Sequence, residues 1–430
     1  MTRRSKREAA IADTKTSFWK KLGPGLVTGA ADDDPSGIAT YSQAGAGMGY
    51  GLLWTIWLTF PLMVAIQMIC ARIGCVTGHG LAAGMRNHSS RPLLHSIIVL
   101  LFVANTINIG ADVVAMGAAT RLLIGGPALA YALGLGAVSL VLQVFVPFKS
   151  YAPLLKFLAL ALFAYVATIF FVKVPWGDVA YRSFVPGITW NSTTLMMIVA
   201  VFGTTISPYL FFWQASHEVE KINANADETA LKKDANDAEP QLNRITVDTV
   251  TGMAFSNIVA FFIMVTTAAV LHARGVTDIQ TSAQAAQALQ PVAGKFAFAL
   301  FAAGIIGTGL LAVPVLAASS AYAAAETFGW PLGLERRWQK ARGFYATIVA
   351  GMLGGMALSF TPIDPVKALV WSAVINGVIA VPIMAVVMHI GSLRKVMGDF
   401  TVTLPLRVFG WLATATMAVA VVAMFCSWWR

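Results

Sequence analysis

The residues able to do chemistry in this chain are embedded in apolar sequence. Asp32, Asp33 and Asp34 follow Gly23-Pro24-Gly25-Leu26-Val27-Thr28-Gly29-Ala30-Ala31 and precede Pro35-Ser36-Gly37. A carboxylate at the centre of a membrane span costs about 2.5–3.5 kcal/mol on insertion scales, so three together call for a function. A second stretch reads Gly203-Thr204-Thr205-Ile206-Ser207-Pro208-Tyr209, with Gln214 five residues on. Proline removes a backbone donor and glycine permits unwinding, so both stretches read as interrupted helices. Unwound carbonyls beside a carboxylate make a cation site. Successive helical residues turn by about 100°, so at most two of the three aspartates line one path. Asp34, next to the proline, is the first choice, and Asp33 a vestibule group or one acting through another ligand. The bland alternative makes Pro208 a packing kink and the aspartate run a loop between short segments.

The elements that must position these residues are membrane helices. Of 430 residues 57% are hydrophobic and 12% charged, against roughly 25% charged in a soluble domain. Apolar runs of about 20 residues cross the hydrocarbon layer. Eleven are expected, at 23–46, 50–72, 93–124, 126–147, 150–173, 192–216, 244–271, 291–325, 343–361, 365–390 and 405–429. Their length and continuity indicate helices rather than barrel strands. The expected fold class is an all-α membrane protein. A tail (1–22) precedes a first five-helix block (23–173), a second (192–390) and an eleventh helix (405–430). Interrupted helices opening both blocks point to inverted repeats.

Charge sets orientation. With the N-terminus inside, 23 of the 30 Lys and Arg fall on the cytoplasmic side, as the positive-inside rule requires. The net charge of +10 is therefore topology rather than a nucleic-acid footprint, and the C-terminus is expected outside. Met1 to Lys21 carries seven basic residues and no apolar core of a signal peptide. The polar loop 217–243 is expected to be a cytoplasmic surface helix or linker, and 272–290 an amphipathic helix on the outer side. Cys70, Cys75 and Cys426 form no disulfide framework and show no zinc spacing, and Cys70 and Cys75, near one span end, read as apolar fillers. The six histidines are assigned to loops and span ends. Asn105, Asn108, Asn257 and Gln67 are assigned to interhelical packing bonds, and Lys156 and Lys367 to snorkelling. Asn376, in the polar stretch Ser372 to Gly377, either reaches the ion or bonds a neighbouring helix. No phosphate-binding Gly-x-x-x-x-Gly-Lys, no His-Glu-x-x-His and no Gly-x-Ser-x-Gly occurs, so an ATP-driven pump or membrane hydrolase is not indicated.

Gly23-Pro24-Gly25, Asp34-Pro35 and Gln43-Ala44-Gly45-Ala46 together resemble the first span of the NRAMP divalent-metal transporters, whose motif there is Asp-Pro-Gly-Asn. The resemblance extends over the whole chain in span count and order. It implies the LeuT-like fold of the sodium-coupled amino acid transporters, a 5+5 inverted repeat with metal bound between broken helices 1 and 6. Several positions depart from the family. The motif's asparagine is Gly37, its span 6 methionine is Ser207, the following histidine is Tyr209, and a second histidine is Gln214. In span 3 the Asp-x-x-Glu pattern becomes Asp112-Val113-Val114-Ala115.

Loss of a thioether and an amide leaves carboxylate, carbonyl and hydroxyl oxygen, a harder and roomier donor set. That pattern resembles the NRAMP-related magnesium transporters, which move Mg²⁺ without proton coupling. The implied metal site comprises Asp34, carbonyls at Ala31 and Thr204, the Ser207 hydroxyl, space at Gly37, and Asn376. Asp33, Tyr209 and Gln214 surround it. Asp112, with Ala115 in place of the Glu, is the remnant of a proton relay, or else bonds a neighbouring helix. The expectation is a multi-pass carrier of the prokaryotic cytoplasmic (plasma) membrane that imports Mg²⁺, and also Mn²⁺, as an uncoupled uniporter. Its partners are the metal ion and the lipid bilayer, with no cofactor and no nucleic acid. The alternatives are a proton-coupled Mn²⁺/Fe²⁺ symporter and an amino acid–cation symporter of the same fold.

Overall fold

The computed structural model describes residues 29, 31–147, 150, 160–187, 189–224, 229–235 and 238–429. Within them the chain is helical with no strand. The first element is interrupted where the sequence analysis places the break. Residues 31–32 are helical, Asp33 and Asp34 are not, and α1 (Pro35–Met48) begins at the proline. Asp34 is its N-cap, with an extended backbone and a side chain accepting from the Gly37 amide. Proline at N1 costs nothing, because that amide has no intrahelical partner.

There follow α2 (Leu53–Thr77), α3 (Leu81–His88), α4 (Arg91–Ile124), α5 (Ala128–Phe145), α6 (Phe163–Thr168) and α7 (Trp176–Phe184). The second interruption separates α8 (Ser192–Thr205) from α9 (Pro208–Ala224). Ile206 departs to φ −110°, ψ 62°, since proline cannot donate to the helix and biases the residue before it away from helical backbone. Then come α10 (Ala238–Val270), α11 (Ala297–Phe328), α12 (Arg342–Leu358), α13 (Pro365–Ser392) and α14 (Leu404–Trp428). Among the described residues eight helical stretches are long and apolar enough to cross a membrane. The α1 helix, α12 and the described part of the expected fifth span are shorter, and 151–159, with Lys156, lie outside the described residues. So do 23–28 and Ala30 of the first span.

The helices pack as two groups. One contains α1, α2, α8, α9 and α10; the other contains α4, α5, α11 and α12, with α13 against both. The stretch Ser192–Ala224 is buried along nearly its whole length, whereas Ala128–Phe145 exposes most of its surface, so the broken helix is central and α5 peripheral. Close approach depends on small residues, as is usual in lipid. A methyl group added at Gly203 on α8 would run into the Ala373 carbonyl and lie 2.7 Å from Gly377 Cα on α13.

Two connections differ from expectation. The 217–243 segment is shorter as a connection than expected: its described residues 229–235 are non-helical and mostly exposed, but its two ends belong to long helices. Residues 217–224 continue α9, and α10 already starts at Ala238. His217 consequently lies inside a helix, stacked on Trp213 with ring centroids 5.4 Å apart. The physical reason is burial. Glu218 is fully enclosed and accepts from Arg244 at 2.9 Å, and Glu220 accepts from the Tyr322 hydroxyl and, at 2.8 Å, from the Leu334 amide. The 272–290 connection is not one amphipathic helix. It breaks into a 3-10 turn at His272–Arg274 and short helical pieces at Ser282–Ala286, Gln287–Leu289 and Gln290–Ala293. Gly275, at φ 79°, ends the first, and a Thr281–Gln284 capping box restarts the chain. It is strapped to the end of α1: Gln43 Nε2 donates to the Thr277 carbonyl (3.1 Å), and Gln43 Oε1 accepts from the Ile279 amide (2.8 Å).

The α8–α13 contact gives a direct test. Gly203→Ala is expected to destabilise the detergent-solubilised protein by about 1–3 kcal/mol through overpacking, read as a lowered thermal midpoint. An unchanged midpoint would mean that the two helices separate freely at this point.

Candidate functional site

Both interruptions meet at Asp34. Its Oδ1 accepts from the Ser36 hydroxyl and the Gly37 amide, each at 2.7 Å. Its Oδ2 accepts from Asn108 Nδ2 on α4 at 3.1 Å and lies 3.5 Å from the Tyr209 hydroxyl on α9. That hydroxyl donates to the Ala31 carbonyl at 3.0 Å, so one phenol joins the freed carbonyl of the first break to the first turn after the second. One step further along, the Tyr41 hydroxyl lies 3.0 Å from Thr205 Oγ1, which itself donates to the Val201 carbonyl. Asp32, Asp33 and Asp34 are each 1% exposed. In a medium without water, these donors are what make a buried carboxylate tolerable.

The second break has its own repair. Proline at 208 leaves the carbonyl of Thr204 without a helical donor. The Ser207 hydroxyl lies 2.7 Å from that carbonyl and 2.9 Å from the Gly203 carbonyl. Its proton is thus spent on the helix end, and its lone pairs are what it has left for a cation. Thr204 Oγ1 is buried with no hydrogen-bond partner among the described residues.

The remaining candidates divide. Asp32 and Asp33 turn away from Asp34 toward α10, where Ser256 Oγ lies 2.6 Å from Asp32 Oδ2 and 3.1 Å from Asp33 Oδ1. One hydroxyl proton serves one carboxylate at a time. Among the described residues no three His, Cys, Asp or Glu side chains converge as a ligand cluster. Gln214 is buried on α9, about two turns beyond the break. Asn376 is buried on α13, both ends of its amide without a hydrogen-bond partner among the described residues, beside the Gly203–Gly377 contact. Asp112 is fully buried on α4, turned toward the Ser36 amide and the Asp34 carboxylate. Neither of its oxygens makes a well-aligned hydrogen bond among the described residues. Ala115 lines a void of about 20 Å³ together with Ile38, Phe301, Ile305 and Leu369.

Three residues at the site escaped the sequence reading. Ser36 and Ser256 carry no signal beyond their type. Asn108 did carry one: it stands four residues before Asp112, and residues i and i+4 share a helix face. The interhelical bond expected of it is present, and its partner is the Asp34 carboxylate, which the sequence reading did not name. Asn105, three residues earlier, does pack as expected, donating to the Leu316 carbonyl and to Ser319 and Ser320 on α11.

Known proteins resemble the chain along nearly its whole length. A divalent metal cation transporter MntH from Klebsiella pneumoniae (strain 342) is 24% identical over 400 residues, covering 92% of this chain and 91% of that protein. The MntH of Granulibacter bethesdensis is 24% identical over 419 residues, covering 94% and 88%. A mutant of the Eremococcus coleocola manganese transporter superposes with a TM-score of 0.74 at 19% identity, covering 96% of this chain and 87% of that one. Mhp1, a nucleobase-cation-symport-1 family transporter, superposes at 0.55 and 14% identity, covering 95% and 92%. These superpositions establish a shared helical transporter fold. The Natural resistance-associated macrophage protein-like (Nramp) family model matches residues 25–427, and the chain belongs to that family.

Proposed function

We propose that this protein carries divalent metal ions across a bilayer by alternating access, with Mg²⁺ as its main cargo and Mn²⁺ as a lesser one. The observation that carries the reading is the chemistry around Asp34. Its hydrogen-bond partners Ser36, Gly37, Asn108 and Tyr209 offer oxygen and nitrogen, and Ser207 stands where the resemblance places a thioether. Soft sulfur selects transition metals, while carboxylate, carbonyl and water suit Mg²⁺, which sheds its waters reluctantly. On this reading Asp34 is the anchor. The Ala31 and Thr204 carbonyls, the Ser207 hydroxyl and Asn376 act directly or through retained water, and Gly37 leaves room. Asp33, Tyr209 and Gln214 shape the surroundings. The two five-helix blocks act as inverted repeats, with the N-terminus cytoplasmic and the C-terminus outside.

The driving force is the membrane potential. Two charges crossing 100 mV release about 4.6 kcal/mol, at about 2.3 kcal/mol per charge, so inward flux needs no proton. A second reading, proton-coupled Mn²⁺ transport, has its own support: the relatives described above are named for divalent metal and manganese transport, and Asp112 is a second buried carboxylate near Asp34. Under it Asp112 carries the proton. Ala115, in an apolar wall, offers no group to take that proton onward.

The test is ion flux into proteoliposomes under an inside-negative potential, with an internal pH dye. Mg²⁺ entry without acidification is expected, and Asp34→Ala is expected to cut it at least a hundredfold, to the level of protein-free vesicles. Mg²⁺ flux that survives Asp34→Ala would overturn the anchor assignment. Asp112→Asn separates the two readings. Uniport predicts Mg²⁺ flux within about threefold of the parent at every external pH, whereas a tenfold loss of Mn²⁺ flux together with loss of acidification would establish proton coupling.

A further inference from the structure

We infer that Asn108 is a ligand of the transported cation, its side-chain amide oxygen supplying from α4 the donor that position 37 lacks on α1. The inference rests on the reading of Asp34 as the ion's anchor and extends it to a residue on the opposing helix group.

Four observations lead there. Asn108 is fully buried, and its Nδ2 bonds Asp34 Oδ2 at 3.1 Å. Its Oδ1 is buried with no hydrogen-bond partner among the described residues. An unanswered acceptor in the interior forfeits the hydrogen bonds it had with water, and such groups in native structures call for a reason. Asp34 Oδ1 is already occupied by two donors at 2.7 Å from its own helix, so Oδ2, the oxygen facing Asn108, is the edge a cation can take. A side chain at position 37 would be crowded in this packing: a Cβ built there would stand 3.1 Å from Thr204 Oγ1, 3.3 Å from the Asp32 carbonyl and 3.5 Å from Asp34 Oδ1, so its neighbours would have to give by a few tenths of an ångström.

The two ends of the Asn108 amide do different work. Its N–H end balances the Asp34 carboxylate. When a cation takes Oδ2, that N–H end is repelled, and a half-turn about the Cβ–Cγ bond exchanges Nδ2 for Oδ1 with almost no change of shape. The oxygen then faces the ion, and amide oxygens are ordinary ligands of hard cations. The same side chain thus serves as donor to the carboxylate and as acceptor for its replacement.

The experiment compares Asn108→Ala with Asn108→Asp in the purified full-length protein, measuring Mg²⁺ and Mn²⁺ binding by titration calorimetry alongside Mg²⁺ flux. Asn108→Ala is expected to weaken Mg²⁺ binding at least tenfold. Asn108→Asp, which keeps an oxygen but loses the donor, is expected to bind Mg²⁺ at least as tightly as the parent. A residue that merely positions Asp34 through its N–H would give the opposite order, because a second carboxylate repels the first. Equal loss in both variants, or no loss in Asn108→Ala, would overturn the assignment. If Asn108→Ala does not fold, the Asn108→Asp affinity alone decides: at or above the parent's supports the ligand role, and tenfold weaker ends it. A parent protein that binds neither ion would instead remove the proposed function, so the two failures are distinguishable.

Discussion

The organising constraint of this molecule is a carboxylate held in the interior of a membrane protein at the end of a broken helix. Asp34 is 1% exposed, and a charge there is stable only if the protein replaces the water it lost. A continuous helix could not do so, because its amides and carbonyls are bonded to one another. Starting α1 at Pro35 turns the problem around: the first turn of a helix has unsatisfied N–H groups and the positive end of the macrodipole, and Asp34 caps it through the Gly37 amide. The same interruption frees the Ala31 carbonyl on the other side. One break therefore supplies both the groups that tolerate a carboxylate and the groups that attract a cation.

The second break is what makes the first useful. Tyr209, one residue past Pro208, reaches back to the Ala31 carbonyl, and Tyr41 reaches across to Thr205. Hydroxyl bridges on both sides of Asp34 thus fix α1 against α8 and α9 within one helix group. Asn108 belongs to the other group, on α4. The Asp34 carboxylate consequently lies on the boundary between them, and on the proposed reading so does the ion. An ion shared between two rigid groups has an affinity that depends on their separation, and by linkage the ion then biases that separation. Alternating access requires a coupling of this kind.

How much of this could be read from sequence depended on the residue. The breaks were legible because Pro35 and Pro208 act through covalent geometry, which needs no tertiary information. The family was legible because the first-span pattern is both rare and local. The role of Asn108 was not. Asn105 and Asn108 are the same residue type on the same helix, and only the direction each side chain faces separates a packing bond to α11 from a bond to Asp34. That direction is set by the packing of α4 between α11 and α1. The ends of the 217–243 segment were misread for a related reason: their polar composition resembles a solvated loop, yet Glu218 is buried and Glu220 half-buried, each bonded to partners more than twenty residues away in sequence. Polar residues in a membrane protein report on burial only once their partners are known.

The substitutions are best weighed together rather than singly. Replacing a thioether by Ser207 removes a soft ligand, but in this fold the hydroxyl also bonds the carbonyls exposed by Pro208; a methionine could not make those bonds. Replacing the amide at 37 by glycine lets α1 approach Thr204 and the Asp32 carbonyl, which tightens the junction between the broken helices. Alanine in place of the family's glutamate at 115 borders a mostly apolar void, with Ser42 and Ser282 in its wall and room for about one water molecule. Each change taken alone lowers the number of metal or proton ligands. On the proposed reading they jointly exchange side-chain ligands on the broken helices for closer helix contact, and a larger share of the binding falls to Asp34, to backbone carbonyls and to residues on the facing group. Carbonyls and a single carboxylate define a site by oxygen count and geometry, which is the kind of discrimination available for a small hard cation that keeps part of its water.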